Sequence, residues 1–112
     1  MNNSIYPCLW FDGKAYEAAD FYINLFPNSK LSSSNPMVSI FELNGTKFMG
    51  LNGGPMYQIS PSISFYVYCE AEQEIEHLYT ELSEKGKINM PLGKYDWSKK
   101  YAWVVDQFGV NW

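Results

Sequence analysis

Few side chains in this chain could do acid–base, nucleophilic or metal chemistry, and most of them stand apart. His77 is the single histidine, and Cys8 and Cys69 are the only cysteines. A catalytic divalent metal needs three or four nitrogen, sulfur or oxygen donors converging from separate elements. His77 falls on the outer face of an expected helix and cannot reach a groove on the far side of a sheet. Glu70, Glu72, Glu74 and Glu76 crowd the first turns of the same helix. Its dipole favours negative charge there, so they read as a solvated face. Neither cysteine has a histidine close in the pattern to lower its pKa, and Ser62 and Ser64 share that lack. Asp106 fits a turn-shaping role; Tyr66 with Asp106 is the acid–base pairing left over. Asn52-Gly53-Gly54-Pro55 is glycine-rich, but a proline and a polar linker follow it. A nucleotide-like cofactor would need a helix there. The expectation is no metal and no cofactor, with the question of catalysis open.

What the residues do offer is a binding wall. Strand alternation places Leu9, Phe11, Phe48, Asn52, Ser62, Ser64, Tyr66 and Tyr68 along one groove, with Trp97 and Trp103 closing it. Apolar walls with a few hydroxyls and one amide suit a flat small molecule; packing of a dimer core is the competing reading. The 112 residues, 46% apolar and 18% aromatic, fit one domain over residues 1–112. So small a domain buries a modest share of its surface, and a homodimer is expected. Net charge is −4 and all eight basic residues are lysine. Without arginine, and with an acidic balance, nucleic acid is excluded as a partner. Residues 1–4 are polar, with no basic stretch leading into an apolar one. No signal peptide or membrane span is expected, the default compartment is the cytoplasm, and the two cysteines read as buried free thiols.

The elements that must position these residues are written twice. Shifting the chain by 57 positions lays Tyr22 on Tyr79, Leu25 on Leu82, Glu17 on Glu74 and residues 8–11 on 65–68. The order of patterns implies two strand–helix units around one groove. In the first, a strand over 5–11 carries Pro7 near its end, and Asp12 is placed to cap a helix over 14–26. That helix bears Ala15, Ala18, Tyr22 and Leu25 on one stripe. Residues 32–36 read as a polar loop. Strands over 37–43 and 46–51 flank Asn44-Gly45, the strongest short hairpin signal. In the second, a strand over 62–69 sends Ile63, Phe65 and Val67 toward a helix. That helix spans 72–85, buries Ile75, Leu78 and Leu82, and ends at Gly86. A polar and aromatic loop over 88–100 leads to a strand over 101–105, a turn at 107–109 and the start of a strand over 110–112. Matching Phe108-Gly109 to Asn44-Gly45 takes an offset of 64, so that loop carries extra residues.

The segments PCLWFDGKAYEAADFYINLFPNSK, FELNGTKFMGLNGGP, PSISFYVYCEAEQEIEHLYTELSEKG and DQFGVNW cover nearly the whole chain. They resemble the vicinal oxygen chelate superfamily of glyoxalases, bleomycin-resistance proteins and dioxygenases. The resemblance is closest to its PhnB-like branch, some members of which are labelled 3-demethylubiquinone-9 3-methyltransferase. It implies an α+β fold of two βαβββ modules, residues 4–55 and 60–112, forming cupped mixed or antiparallel sheets, with the last strand truncated. It also implies a homodimer and a small-ligand cavity. In enzymes of that superfamily the cavity holds a divalent metal. The first-strand ligand position falls on Pro7 and the matching second-module position on Ser62, neither of which ligates a metal well. The resemblance thus points to a metal-free small-molecule binder. A metal-dependent lyase, isomerase or dioxygenase, or a methyltransferase as relatives are labelled, is the alternative.

Overall fold

The computed structural model describes residues 5–112, and the expectations for residues 1–4 lie outside them. The chain divides into two compact units, Met1–Gln58 and Ile59–Trp112. The fold is α+β, as expected.

The first unit is a complete βαβββ module. Its elements are β1 (Cys8–Phe11), α1 (Ala15–Leu25), β2 (Lys30–Ser34), β3 (Val38–Leu43) and β4 (Thr46–Asn52). They build one mixed sheet in the order β1-β4-β3-β2. β1 runs parallel to β4, with Leu9 opposite Gly50 and Phe11 opposite Asn52. Pro7 lies just before β1, and its carbonyl accepts from Met49 N at 2.9 Å. Asn44 (φ 48°) and Gly45 (φ 88°) join β3 to β4. Two successive positive φ values match the right-handed twist of a two-residue hairpin, which is why that dipeptide stands there.

α1 covers one face of this sheet. Ala15, Ala18, Ala19 and Tyr22 meet Leu9, Phe11, Phe41, Leu43 and Phe48, all of them buried. Phe41 and Phe48 stack at 5.5 Å, and Tyr22 lies 6.1 Å from Phe41. Three alanines in two turns let the helix sit close to the strands. The core this produces is full, and truncating Phe41 would cost about 3–5 kcal/mol.

Two expectations for this unit change. Residues 32–36 are not wholly a loop, because β2 takes residues up to Ser34 as a polar edge strand beside β3. Its serines face water, and Ser34 Oγ pairs with the buried Ser39 Oγ at 2.9 Å. The turn to β3 is made by Asn35, whose Oδ1 accepts from Met37 N and Val38 N at 2.8 and 2.9 Å. The cap of α1 also differs. Lys14 holds the N-cap position without a side-chain bond. Asn52 Oδ1, from the end of β4, accepts from Ala15 N at 2.9 Å instead of Asp12.

The second unit holds α2 (Glu72–Ser83), β5 (Lys87–Tyr95) and β6 (Ser98–Val105). The α2 start falls 57 positions after that of α1, the same offset as the sequence repeat. β5 and β6 form a two-stranded antiparallel sheet with three register shifts. Asn89, Pro91 and Gly93 interrupt the alternation of β5, which made it read as a loop. Bulges absorb such residues.

The expected strand over 62–69 does not form. A strand needs a ladder partner. Phe65 N donates to Asn111 O at 3.0 Å, but residues 110–112 are engaged chiefly with β6. Val104 N donates to Trp112 O, and Trp112 N to Val104 O. Gly86 is required by close approach, because a Cβ there would run into Val105 O and the Asp106 backbone. It is not the left-handed stop that the sequence suggested. Among the described residues no helix is long and apolar enough to cross a membrane.

Candidate functional site

In the first unit, strand alternation combined with helix packing decides which side chains are available. Leu9, Phe11 and Phe48 are 6%, 4% and 5% exposed. They lie under α1 and do not line an open groove, which corrects the expected alternation by one residue. The reason is that both faces of β1 and β4 are apolar, so polarity does not mark the helix side. Alternation places Cys8, Trp10, Ile40, Met49 and Leu51 on the open face. Asn52 is likewise drawn away from ligand chemistry. Its Oδ1 caps α1, and its Nδ2 donates to Pro36 O at 2.9 Å.

The glycine-rich turn after β4 is filled by the chain itself. Trp10 Nε1 donates to Gly54 O at 2.8 Å, and the indole meets the Tyr57 ring edge-on at 5.2 Å. A Cβ on Gly53 would land on that indole. Gly53 N donates to Phe11 O and Asn52 N to Met37 O. A nucleotide-like methyl donor would need those amides and that space, so the residues present do not fit one. A divalent metal fits no better. Pro7 O is taken by Met49 N, and Ser62 Oγ by Ser60 Oγ at 2.9 Å. His77 is exposed on α2. Among the described residues no three His, Cys, Asp or Glu side chains converge.

The second unit contains a cavity of about 440 Å³ between residues 64–72, α2 and β6. Its apolar wall includes Phe65, Ile75, Leu78, Leu82, Val104 and Trp112. A volume of this size suits a small organic ligand. The unit's buried apolar residues are Leu82, Val104 and Val110, far fewer than α1 and its sheet provide. The cavity is the space that a closed core would otherwise fill.

Aromatic rings stand at its rim. Tyr66 and Tyr68 lie 5.0 Å apart, and Tyr66 lies 6.2 Å from Tyr101. Tyr101 meets Trp97 edge-on at 5.4 Å, and Trp97 stacks on Tyr95 at 5.2 Å. The structure therefore brings four of the expected residues together. Ser64, Tyr66 and Tyr68 line the cavity, and Trp97 joins them through Tyr101. Ser62 lies outside the lining and bonds to Ser60. Trp103 is separate as well, because its Nε1 donates to Asn111 Oδ1 at 2.9 Å.

Lys100 reaches the cavity from β6. Its Nζ lies 2.6 Å from Glu76 Oε1 and 3.9 Å from Glu72 Oε2. The hydrogen bond to Glu76, helped by both carboxylates, holds its pKa above the ordinary 10.5. Cys69 also lines the cavity, and burial, then the Glu74 charge, pushes its thiol above 9.0. Both cysteines are free, though Cys8 is exposed where a buried thiol was expected. Asp106 shapes its turn as expected. Oδ1 accepts from Phe108 N and Val110 N, and Oδ2 from Trp112 Nε1. Lys100, Tyr101 and the α2 side chains were missed as wall residues. The signal for them was the pair of repeat positions where Ala15 and Ala19 become Glu72 and Glu76.

The family described as 3-demethylubiquinone-9 3-methyltransferase matches residues 3–112. A putative 3-demethylubiquinone-9 3-methyltransferase, PhnB protein, from Bacillus cereus is 37% identical. It aligns over 98% of this chain and 96% of its own, with a TM-score of 0.91. Protein PA1353 from Pseudomonas aeruginosa is 26% identical over 97% and 93% of the two chains, with a TM-score of 0.80. A glyoxalase-related enzyme from Fulvimarina pelagi, 15% identical over 98% and 85% of the two chains, shares the fold at a TM-score of 0.67. No curated protein matches the sequence. The family match over almost every residue and the shared architecture make this chain a PhnB-like member of the family described as 3-demethylubiquinone-9 3-methyltransferase, on the glyoxalase/bleomycin-resistance fold.

Proposed function

We propose that this chain is a metal-independent small-molecule-binding protein whose flat, largely apolar ligand sits in the cavity of the second unit. The observation that carries the reading is the contrast between the halves. The same helix register packs a full core in one unit and leaves about 440 Å³ beside tyrosine rings in the other. An acid–base role for Tyr66 with Asp106 gains no support, since both carboxylate oxygens of Asp106 already accept bonds within its own turn and tail. The methyltransferase name attached to relatives finds no donor-binding turn in these residues.

Thermal-shift and fluorescence titration against a panel of planar metabolites and antibiotics tests the reading. Ala102 lines the cavity, so Ala102→Leu should abolish whatever shift the unaltered protein shows. Ile75→Phe fills the same space from α2 and serves as the second variant. No shift with any compound, or shifts untouched by both variants, would count against the cavity as the site.

We infer a homodimer as well. Ile63, Tyr66 and Tyr68 are 65%, 61% and 88% exposed, and an exposed apolar stretch that pairs with no strand among the described residues suits strand addition by a second copy. Backbone pairing lies in the plane of the strands and leaves the side-chain faces accessible. Light scattering that gives only a monomer mass would refute it. Two free thiols support a reducing compartment, of which the cytoplasm is the simplest case.

A further inference from the structure

We propose that the mouth of this cavity selects a cationic head group, so that its ligand class is an apolar or aromatic body carrying an ammonium; this rests on the cavity being a small-molecule site. Three tyrosine rings belong to the lining, with Tyr66 lying 5.0 Å from Tyr68 and 6.2 Å from Tyr101. The negative faces of such rings attract an ammonium. Glu70 and Glu72 belong to the same lining, and the Glu72 side chain is 82% exposed.

The rim's own cations leave that field negative. Lys100 is held by Glu76 and Glu72. Lys99 is the other ammonium of the lining, and it is exposed. Within the lining Glu70 and Glu72 balance Lys99 and Lys100; Glu76, bound to Lys100, and Glu74 beside Glu70 add two negative charges next to it. Glu74 Oε1 is held beside the lining by accepting from Glu70 N at 2.8 Å. The positive end of α2 lies here too, and Glu72 and Glu74 in its first turn offset it. An anionic head group would meet carboxylates, and a neutral one would gain nothing from the rings beyond contact. A cation gains from both.

Three probes with one body separate the possibilities: 1-naphthylmethylammonium, 1-naphthalenemethanol and 1-naphthoate, titrated calorimetrically into the full chain. The ammonium should bind about tenfold tighter than the alcohol, from a ring–cation contact and an exposed ion pair together. The naphthoate should bind weakest. Added salt should shrink the preference. The exposed pair Glu70→Gln and Glu72→Gln should cut the preference of the ammonium over the alcohol to about threefold. If the alcohol or the naphthoate binds as well as the ammonium, and Ala102→Leu blocks both, the cationic preference is overturned while the cavity stands. If none of the three binds, the cavity reading fails and this inference fails with it.

Discussion

Replacing Asp106 separates a structural turn from a reactive one. The residue is 3% exposed. Its Oδ1 accepts from Phe108 N at 2.8 Å and Val110 N at 3.1 Å, and its Oδ2 from Trp112 Nε1 at 2.8 Å. The backbone bonds of the turn, Asp106 N to Val110 O and Gly109 N to Asp106 O, survive any substitution. Bonds to a charged acceptor contribute about 1.5–3 kcal/mol each. Asp106→Ala removes three of them, and the Val110 amide is too deep to recover water. Allowing the other two donors partial resolvation, the loss is about 3–5 kcal/mol, a large share of the roughly 5–15 kcal/mol that holds a domain together. Asp106→Asn keeps an acceptor for the two amides but turns an N–H toward the Trp112 N–H, for a loss of about 1.5–3 kcal/mol. Urea unfolding followed by tryptophan fluorescence and far-ultraviolet circular dichroism measures both. An Asn variant within about 0.5 kcal/mol of the unaltered protein would refute the structural assignment and restore Asp106 as a reactive group.

Other substitutions probe the first unit and the thiols. Asn52→Ala removes the acceptor for Ala15 N and the tie to Pro36 O, and should cost about 0.5–2 kcal/mol in chemical denaturation. Gly53→Ala places a methyl on the Trp10 indole; a cost of about 1–3 kcal/mol with a red-shifted tryptophan emission is expected, and an unchanged spectrum would contradict the packing. Cys69, its thiol raised above 9.0 by burial and then by Glu74, stays protonated to higher pH in the folded chain than in the unfolded one. Its contribution to stability is whole below 9.0 and is lost as pH rises through the folded value. At mildly alkaline pH, iodoacetamide should modify the exposed Cys8 first, as peptide mass mapping will show; equal rates would contradict the assigned environment of Cys69.

Helix periodicity and turn chemistry were legible wherever one local cause dominated. The Ala15, Ala18 and Tyr22 stripe, the Asn44-Gly45 hairpin and the start of α2 at Glu72 follow from spacing alone. The failures have separable causes. β5 was hidden because Asn89, Pro91 and Gly93 break its alternation, and the register shifts that accommodate them are tertiary. The strand over 62–69 has clean alternation, yet pairing depends on a neighbour that no local pattern reports. Leu9, Phe11 and Phe48 were placed on the wrong face because Cys8, Trp10, Met49 and Leu51 are equally apolar. Only the position of α1 decides between the two sets. Ser64, Tyr66 and Tyr68 line the cavity, but so do Phe65 and Val67, which alternation set on the other face, because residues 62–69 form no strand.

The cavity traces to a few positions on one helix face. α1 presents Ala15, Ala18, Ala19 and Tyr22 to its sheet, and the corresponding residues of α2 are Glu72, Ile75, Glu76 and Tyr79. Gly50 lies so close beneath α1 that a Cβ there would meet the Ala15 Cβ at 3.3 Å. An approach that close is closed to α2. Glu72 and Glu76 cannot be buried without a counter-charge, and the one within reach, Lys100, holds them at the edge of β6. Ile75 adds bulk where Ala18 had almost none. Ile75 and Leu78 on the amino-terminal turns of α2 are half-buried against the cavity, while Leu82 near its other end is buried at 4% exposure. A helix packed through Leu82 at one end and held to Lys100 through Glu72 and Glu76 at the other leaves an apolar cavity beneath it. Glu72 and Lys100 belong both to that contact and to the lining of the cavity, so whatever enters has to suit both.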